Sequence, residues 1–317
     1  MMDEPVGIRA IEYRLGSTEV TLEELAAEGL LTSPPELLRS FGFDRVHVSE
    51  SDHERGNLAR LAAAALLREH DVDPLDIDVL IMFGGLPVEA VPHTDAEDLI
   101  ERFRYPVGRL QHDLGLSRSV AFAVGQQGCA AMLSALRIAR SLLVAGEARN
   151  VLCVGVDVVP PGARREVVYN VLSDGACALL LSRPWERLRP VTFRHVTKGY
   201  YWDSPARRDE IVAAYFPTAR NVVRDAVASA GLSLQDVSLV VPDNVSTRSW
   251  SILLDLLDLP EDRAFLGNAA RKGHSISADL AVNLKDALRE RAPHPEAPVA
   301  LFTFGFGANW SAAVLRA

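Results

Sequence analysis

The chain has 317 residues, 48% of them apolar and 24% charged, enough to bury one large core or two ordinary ones. The net charge is −9 and the 33 basic residues are scattered, so there is no electrostatic footprint for a nucleic-acid backbone and no nucleic-acid partner is expected. The longest apolar runs, 151–159 and 176–181, fall short of the ~18 to 20 residues that cross a bilayer, and the first eleven residues lack the basic start of a secretory signal. No membrane partner is expected, and the cytoplasm is the default location.

In chain order, residues 57–70 read as a helix running into an acid-led apolar strand at 76–82. The segment 87–116, with Pro92, Pro106 and charged clusters, exceeds a plain connection and is expected to line a site. Gly125-Gln-Gln-Gly128 opens a helix with apolar residues at Leu133, Leu136, Ile138 and Leu142, and buried strands follow at 150–157 and 176–181. An exposed connection at 183–194 leads to 197–214, whose Tyr200, Tyr201 and Trp202 are candidates to wall a cleft.

The order then repeats, offset by about 160 residues. A helix at 220–230 runs into the acid-led strand 236–242, a second central helix after Gly273 carries Leu280, Val282, Leu284 and Leu288, and apolar strands follow at 299–307 and 311–315. Strands this uniformly apolar belong to sheets covered on both faces. The expectation is an α/β fold of two duplicated halves, 1–182 and 183–317, with the central helices packed together.

Cys129 lies where the glycine-rich loop enters a helix, a setting that exposes a thiol to backbone N–H groups and to the positive end of a helix dipole. It is the candidate nucleophile. Cys153 and Cys177 sit inside apolar strands and read as core residues. The three cysteines show no zinc spacing, an odd count suits free thiols, and no metal site is expected.

Gly128-Cys129-Ala130 before a long helix, Ser173-Asp-Gly-Ala-Cys-Ala, and Phe304-Gly-Phe-Gly-Ala-Asn-Trp310 resemble the thiolase superfamily, and within it the ketoacyl-ACP synthase III family. The resemblance covers nearly the whole chain. It implies two pseudo-duplicated βαβαβαββ halves stacked as α-β-α-β-α, a homodimer, and acylation of Cys129. It also implies an oxyanion hole from the backbone N–H of Cys129 and the turn Gly305-Phe306-Gly307.

Two departures from that family bear on the chemistry. Where the family has histidine in Pro-His-Gln-Ala-Asn, this chain reads Pro242-Asp243-Asn244-Val245; where it has asparagine in Gly-Asn-Thr-Ser-Ala, it reads Gly273-His274-Ser275-Ile276-Ser277. The family's histidine and asparagine donate to a thioester carbonyl while carbon dioxide leaves; an ionised aspartate only accepts and opposes a developing oxyanion. The replacement set Cys129, Asp243 and His274 instead suits acyl transfer, with Asp243 orienting His274 and His274 acting as the base.

The expected outcome is an ester or amide of a small-molecule, natural-product acceptor. The tryptophan that stacks adenine in CoA-dependent members is missing from the segment Glu36–Phe43, which favours an acyl carrier protein delivering a phosphopantetheine thioester, with no tightly bound cofactor. Phe306, Asn268, Trp310 and Trp202 are candidate pocket residues. The alternatives are a decarboxylative carbon–carbon condensing enzyme and an inactive accessory subunit.

Overall fold

The computed structural model describes residues 4–86 and 103–317. The first part of the segment expected to line a site, residues 87–102, lies outside the described residues; its remainder forms a short helix.

The first half runs β1 (Gly7–Leu15), β2 (Thr18–Thr21), α1 (Leu22–Ala27), α2 (Pro35–Ser40), β3 (Arg45–Val48), α3 (Asp52–Arg55), α4 (Leu58–Glu69) and β4 (Val79–Phe83). It continues through α5 (Pro106–Asp113), β5 (Val120–Val124), α6 (Ala131–Ala145), β6 (Asn150–Asp157), β7 (Glu166–Val167), β8 (Asn170–Val171) and β9 (Gly175–Ser182). The second half runs β10 (Arg189–Thr197), α7 (Arg208–Ser229), β11 (Leu239–Pro242), α8 (Thr247–Leu256), α9 (Asn268–Lys272), α10 (Asp279–Arg291), β12 (Pro298–Gly305) and β13 (Asn309–Arg316).

The strands form two main sheets, ordered β1-β9-β6-β4-β5 and β10-β13-β12-β11. The orders correspond position by position, and so do the pairings: antiparallel for β1 with β9 and β10 with β13, parallel for β4 with β6 and β11 with β12. The counterpart of β5 in the second sheet is reduced to one parallel bridge between Val240 and Ala264. Strand β9 is buried at every position, as its unbroken apolar sequence requires of a strand covered on both faces.

One core joins the sheets: Leu133 and Leu136 of α6 and Leu280 and Leu284 of α10 pack with Ile81 and Leu179 of one sheet and Val241 and Leu301 of the other. Helix α4 covers the outer face of the first sheet, and α7 and α8 cover that of the second. The result is the α-β-α-β-α stack of the thiolase fold. Among the described residues, the one helical stretch long and apolar enough to cross a membrane is Gly128–Ala145, which here is a central helix between two sheets. The N-termini of the two central helices meet at the edge of this core, and the chemistry-bearing residues gather there.

Candidate active site

The nucleophile turn is built by backbone geometry that most residues avoid. After β5, Gln126 and Gly128 both take positive φ (60° and 54°), a 3-10 turn spans Gly128–Ala130, and α6 begins at Ala131. The β12–β13 hairpin closes onto this turn. A Cβ on Gly128 would lie 2.7 Å from the Phe306 nitrogen, and one on Gly305 only 1.9 Å from the Gln127 carbonyl oxygen and 2.9 Å from the Cys129 nitrogen. Glycine at both positions lets the two backbones approach.

That approach sets the Cys129 and Phe306 amides side by side, and neither donates a hydrogen bond to another described residue. They are candidate donors to an oxyanion. The expectation for Gly307 is corrected: its N–H donates to Ser204 Oγ at 3.0 Å. Gly305, the last residue of β12, pairs with Asn309 across the hairpin and serves by its lack of a side chain.

His274 is pinned on both sides of its backbone. Its N–H donates to the Val171 carbonyl at 2.8 Å, and its carbonyl accepts from Ser173 N–H at 3.0 Å. The imidazole Nε2 lies 3.5 Å from Cys129 Sγ, and Nδ1 lies 2.5 Å from Asp279 Oδ2. Asp279 is the first residue of α10 and is 1% exposed. Its Oδ1 accepts from Ser275 N–H at 2.6 Å and Ser275 Oγ at 2.7 Å, and its Oδ2 also accepts from Asn244 N–H at 2.6 Å. A buried carboxylate met by this many donors is held in one orientation.

The carboxylate that orients His274 is therefore that of Asp279, and the expectation that Asp243 would do so is corrected. Asp243, 1% exposed, turns toward the second sheet: Oδ2 accepts from Thr303 Oγ1 at 2.9 Å and Phe304 N–H at 3.4 Å, and Oδ1 from Trp250 Nε1 at 3.3 Å. It is the next residue, Asn244, whose backbone reaches Asp279. Burial raises the Asp243 carboxyl to about 6, against the lowering effect of His274.

The thiol departs from expectation too. Burial pushes the Cys129 thiol up, and the nearby His274 is the main influence drawing it down. The residue itself is part-buried beside the turn and hairpin. For His274, burial disfavours the imidazolium, but Asp279 and then Cys129 outweigh it and raise the group well above the ordinary histidine range. Cys153 and Cys177 are pushed far up by burial in the core, as inert thiols are.

The candidate pocket residues divide. Phe306 is part-exposed beside the nucleophile turn and packs edge-on against Phe304. Trp202 is exposed. Asn268 and Trp310 are 0% exposed and line no opening: Asn268 Nδ2 donates to Asn283 Oδ1 and Asp286 Oδ2, both at 2.8 Å, and the Trp310 ring packs in the outer core against Phe304. Both expectations are corrected, because the strand and helix carrying these residues turn them inward.

Two family models match the chain: 3-oxoacyl-[acyl-carrier-protein] synthase III over residues 125–198 and its C-terminal region over residues 227–317. The chain is 26% identical to the beta-ketoacyl-[acyl-carrier-protein] synthase III of Methylococcus capsulatus, with 94% of each chain covered. Among solved structures, the 3-oxoacyl-[acyl-carrier-protein] synthase III of Aquifex aeolicus superposes with TM-score 0.84 at 22% identity, covering 98% of this chain and all of that one. ChlB3, described as an "aceyltransferase", superposes with TM-score 0.83 at 20% identity, covering 98% and 97%.

Proposed function

Because the chain belongs to the ketoacyl-ACP synthase III-like proteins of the thiolase superfamily, we propose that it is an acyltransferase working through an acyl-Cys129 intermediate. The acyl group would come from a carrier-protein phosphopantetheine thioester and pass to the hydroxyl or amine of a small molecule. The observation that carries this reading is the line Cys129 Sγ, His274, Asp279, with separations of 3.5 and 2.5 Å.

In the first half-reaction Cys129 Sγ attacks the thioester carbonyl, its proton passing to His274 Nε2. The oxyanion develops between the Cys129 and Phe306 amides, the S–C bond to the phosphopantetheine sulfur breaks, and His274 returns the proton to that sulfur. Acylation removes the thiolate, one of the groups raising His274. The imidazole then takes the proton of an incoming hydroxyl or amine as its oxygen or nitrogen attacks the acyl carbon. Sγ departs, and Asp279 stabilises the imidazolium throughout, as in Cys-His-carboxylate and Ser-His-carboxylate sites.

Decarboxylative condensation, the activity that the names of the curated relatives carry, requires donors to stabilise an enolate. The buried acceptor-only carboxylate of Asp243 on that side of the site supports acyl transfer instead. A homodimer is proposed through β5, the edge strand of the first sheet, where Val120 is 66% exposed.

The test follows intact mass after incubation with acyl- and malonyl-carrier-protein thioesters, alongside Cys129→Ala and His274→Ala. A Cys129 adduct that keeps malonyl intact and is discharged by a hydroxyl or amine supports the proposal. Carbon dioxide release coupled to chain extension replaces it with a condensing enzyme, and no adduct from any thioester leaves an accessory subunit.

A further inference from the structure

Helix α10 carries Asp279, Asn283 and Asp286 at positions i, i+4 and i+7, one polar stripe on a helix buried between two sheets, and all three are at most 1% exposed. The stripe is the spine of a continuous hydrogen-bonded chain. Asn283 Nδ2 donates to Asn244 Oδ1 and to the Pro242 carbonyl, both at 2.8 Å. Asn244 in turn donates from its backbone N–H to Asp279 Oδ2 at 2.6 Å and from Nδ2 to the Gly273 carbonyl at 2.9 Å. At the far end Asn283 Oδ1 accepts from Asn268, which also binds Asp286, and Asp286 is paired with Lys272.

Asn244 thus touches the catalytic line twice, at the carboxylate that holds His274 Nδ1 and at the residue preceding His274. Among the described residues, its side-chain oxygen has one partner to fix it, Asn283. We propose that Asn283 is a positioning residue for the Cys129–His274 pair, acting through Asn244 on Asp279 and on the Gly273 peptide. The outer members, Asn268, Asp286 and Lys272, secure the fold around the stripe without setting the reactivity of the pair. Without Asn283, Asn244 Oδ1 loses its partner and the side chain is held by Nδ2 alone, so the amide that shares Asp279 Oδ2 with the imidazole shifts and the carboxylate loses its single orientation. The inference rests on the role given to His274 in the acyl-transfer reading.

The groups facing the pair are Asp279 from α10, Asp243 from the end of β11 and Tyr215 from α7, which lies within electrostatic reach of both Cys129 and Asp243. Asn283 bonds none of these side chains directly and reaches Asp279 through the Asn244 amide, so its removal has a directional signature. A loosened Asp279 holds less imidazolium beside Cys129, and the thiol becomes harder to ionise.

The experiment measures the rate of iodoacetamide alkylation at the Cys129 peptide against pH, in the full chain without substrate, for the parent protein, Asn283→Ala and Asn268→Ala, with thermal unfolding of each. In Asn283→Ala the rate at pH 7 is expected to fall about tenfold and the limb to move to higher pH, the scale of one lost buried hydrogen bond. Asn268→Ala is expected to lower the unfolding temperature with a rate within about twofold of the parent. If Asn283→Ala does not fold, Asn283→Leu, which removes both donors while keeping the side-chain volume and adding no charge, is read in its place. An unchanged profile in a folded Asn283 variant, or an equal shift in Asn268→Ala, overturns the proposal. Because no thioester is used, its failure is separable from failure of the acyl-transfer reading, which the adduct experiment decides.

Discussion

Replacing Asp279 by asparagine is the most incisive perturbation of this site. Four donors converge on its two oxygens: Ser275 N–H and Oγ on Oδ1, and Asn244 N–H and His274 Nδ1 on Oδ2. Asparagine offers one oxygen. If that oxygen stays with Ser275, the new NH2 faces Nδ1 and forces the tautomer with its proton on Nε2, which has no lone pair to present to Cys129 or to an acceptor. Loss of one charge-assisted hydrogen bond, about 1.5 to 3 kcal/mol, sets a floor of roughly 10- to 150-fold on acyl transfer. The wrong tautomer takes the loss toward about 10⁴-fold.

Two pH limbs are expected to move in opposite directions in Asp279→Asn. Asp279 raises His274, and His274 lowers Cys129. Removing the carboxylate charge therefore lowers His274 and raises Cys129. Discharge of the acyl-enzyme, which needs neutral His274, shifts its limb to lower pH, while alkylation of the free thiol shifts to higher pH. Stopped-flow discharge of pre-formed acyl-enzyme and alkylation kinetics read the two separately. If both limbs move the same way, or the discharge rate falls less than about fivefold, Asp279 does not orient the base.

Gly305→Ala is expected to abolish the Cys129 adduct, because the new methyl would sit 1.9 Å from the Gln127 carbonyl and drive the hairpin off the nucleophile turn; intact mass after thioester loading checks this. Asp243 makes stability pH-dependent. Its carboxyl is raised from 3.8 to about 6, so the folded state binds its proton more tightly than the unfolded state, and its contribution falls as pH rises from about 4 to about 6, then stays level. The span is about 3 kcal/mol, so denaturant unfolding of Asp243→Asn relative to the parent should gain by that order between pH 4 and 7; an equal pH dependence in both proteins would refute it. Leu284→Ala, in the layer between the sheets, is expected to cost about 2 to 5 kcal/mol in urea unfolding without shifting the pH limbs.

The fold was legible because duplication and buried strands leave unambiguous marks. Acid-led strands recur about 160 residues apart, and the uniformly apolar β9 can only be covered on both faces. Cys129 was read from the glycine-rich loop entering a helix and His274 from its place in the segment where the family carries asparagine, and the structure brings the two side chains to 3.5 Å. The orienting carboxylate was not legible. Pro242-Asp243-Asn244 attracted the assignment because it occupies a position where the family carries a functional residue, yet its side chain serves the second sheet and its neighbour's backbone serves the site. In α10 the apolar spacing of Leu280, Val282, Leu284 and Leu288 carried the reading, and the polar residues between them carried none. Over its first two turns α10 is enclosed between the two sheets, so Asp279, Asn283 and Asp286 find partners inside. An acid five residues after a candidate base, with a polar residue one helical turn further on, is the signal that would have found them.

The positions of the two buried acids explain why one site can retain a nucleophilic cysteine and still oppose decarboxylation. Asp279 is satisfied by four donors, the imidazole 2.5 Å away among them, and its charge also raises the Cys129 thiol. Asp243 has weaker partners, at 2.9 to 3.4 Å, and its negative charge raises the Cys129 thiol as well. A tetrahedral oxyanion of acyl transfer has the Cys129 and Phe306 amides as donors to set against that charge. An enolate formed where the family places its histidine would lie against it. The same substitution that removes a donor thus also adds a charge, and both act on carbon–carbon bond formation more than on acyl transfer to oxygen or nitrogen.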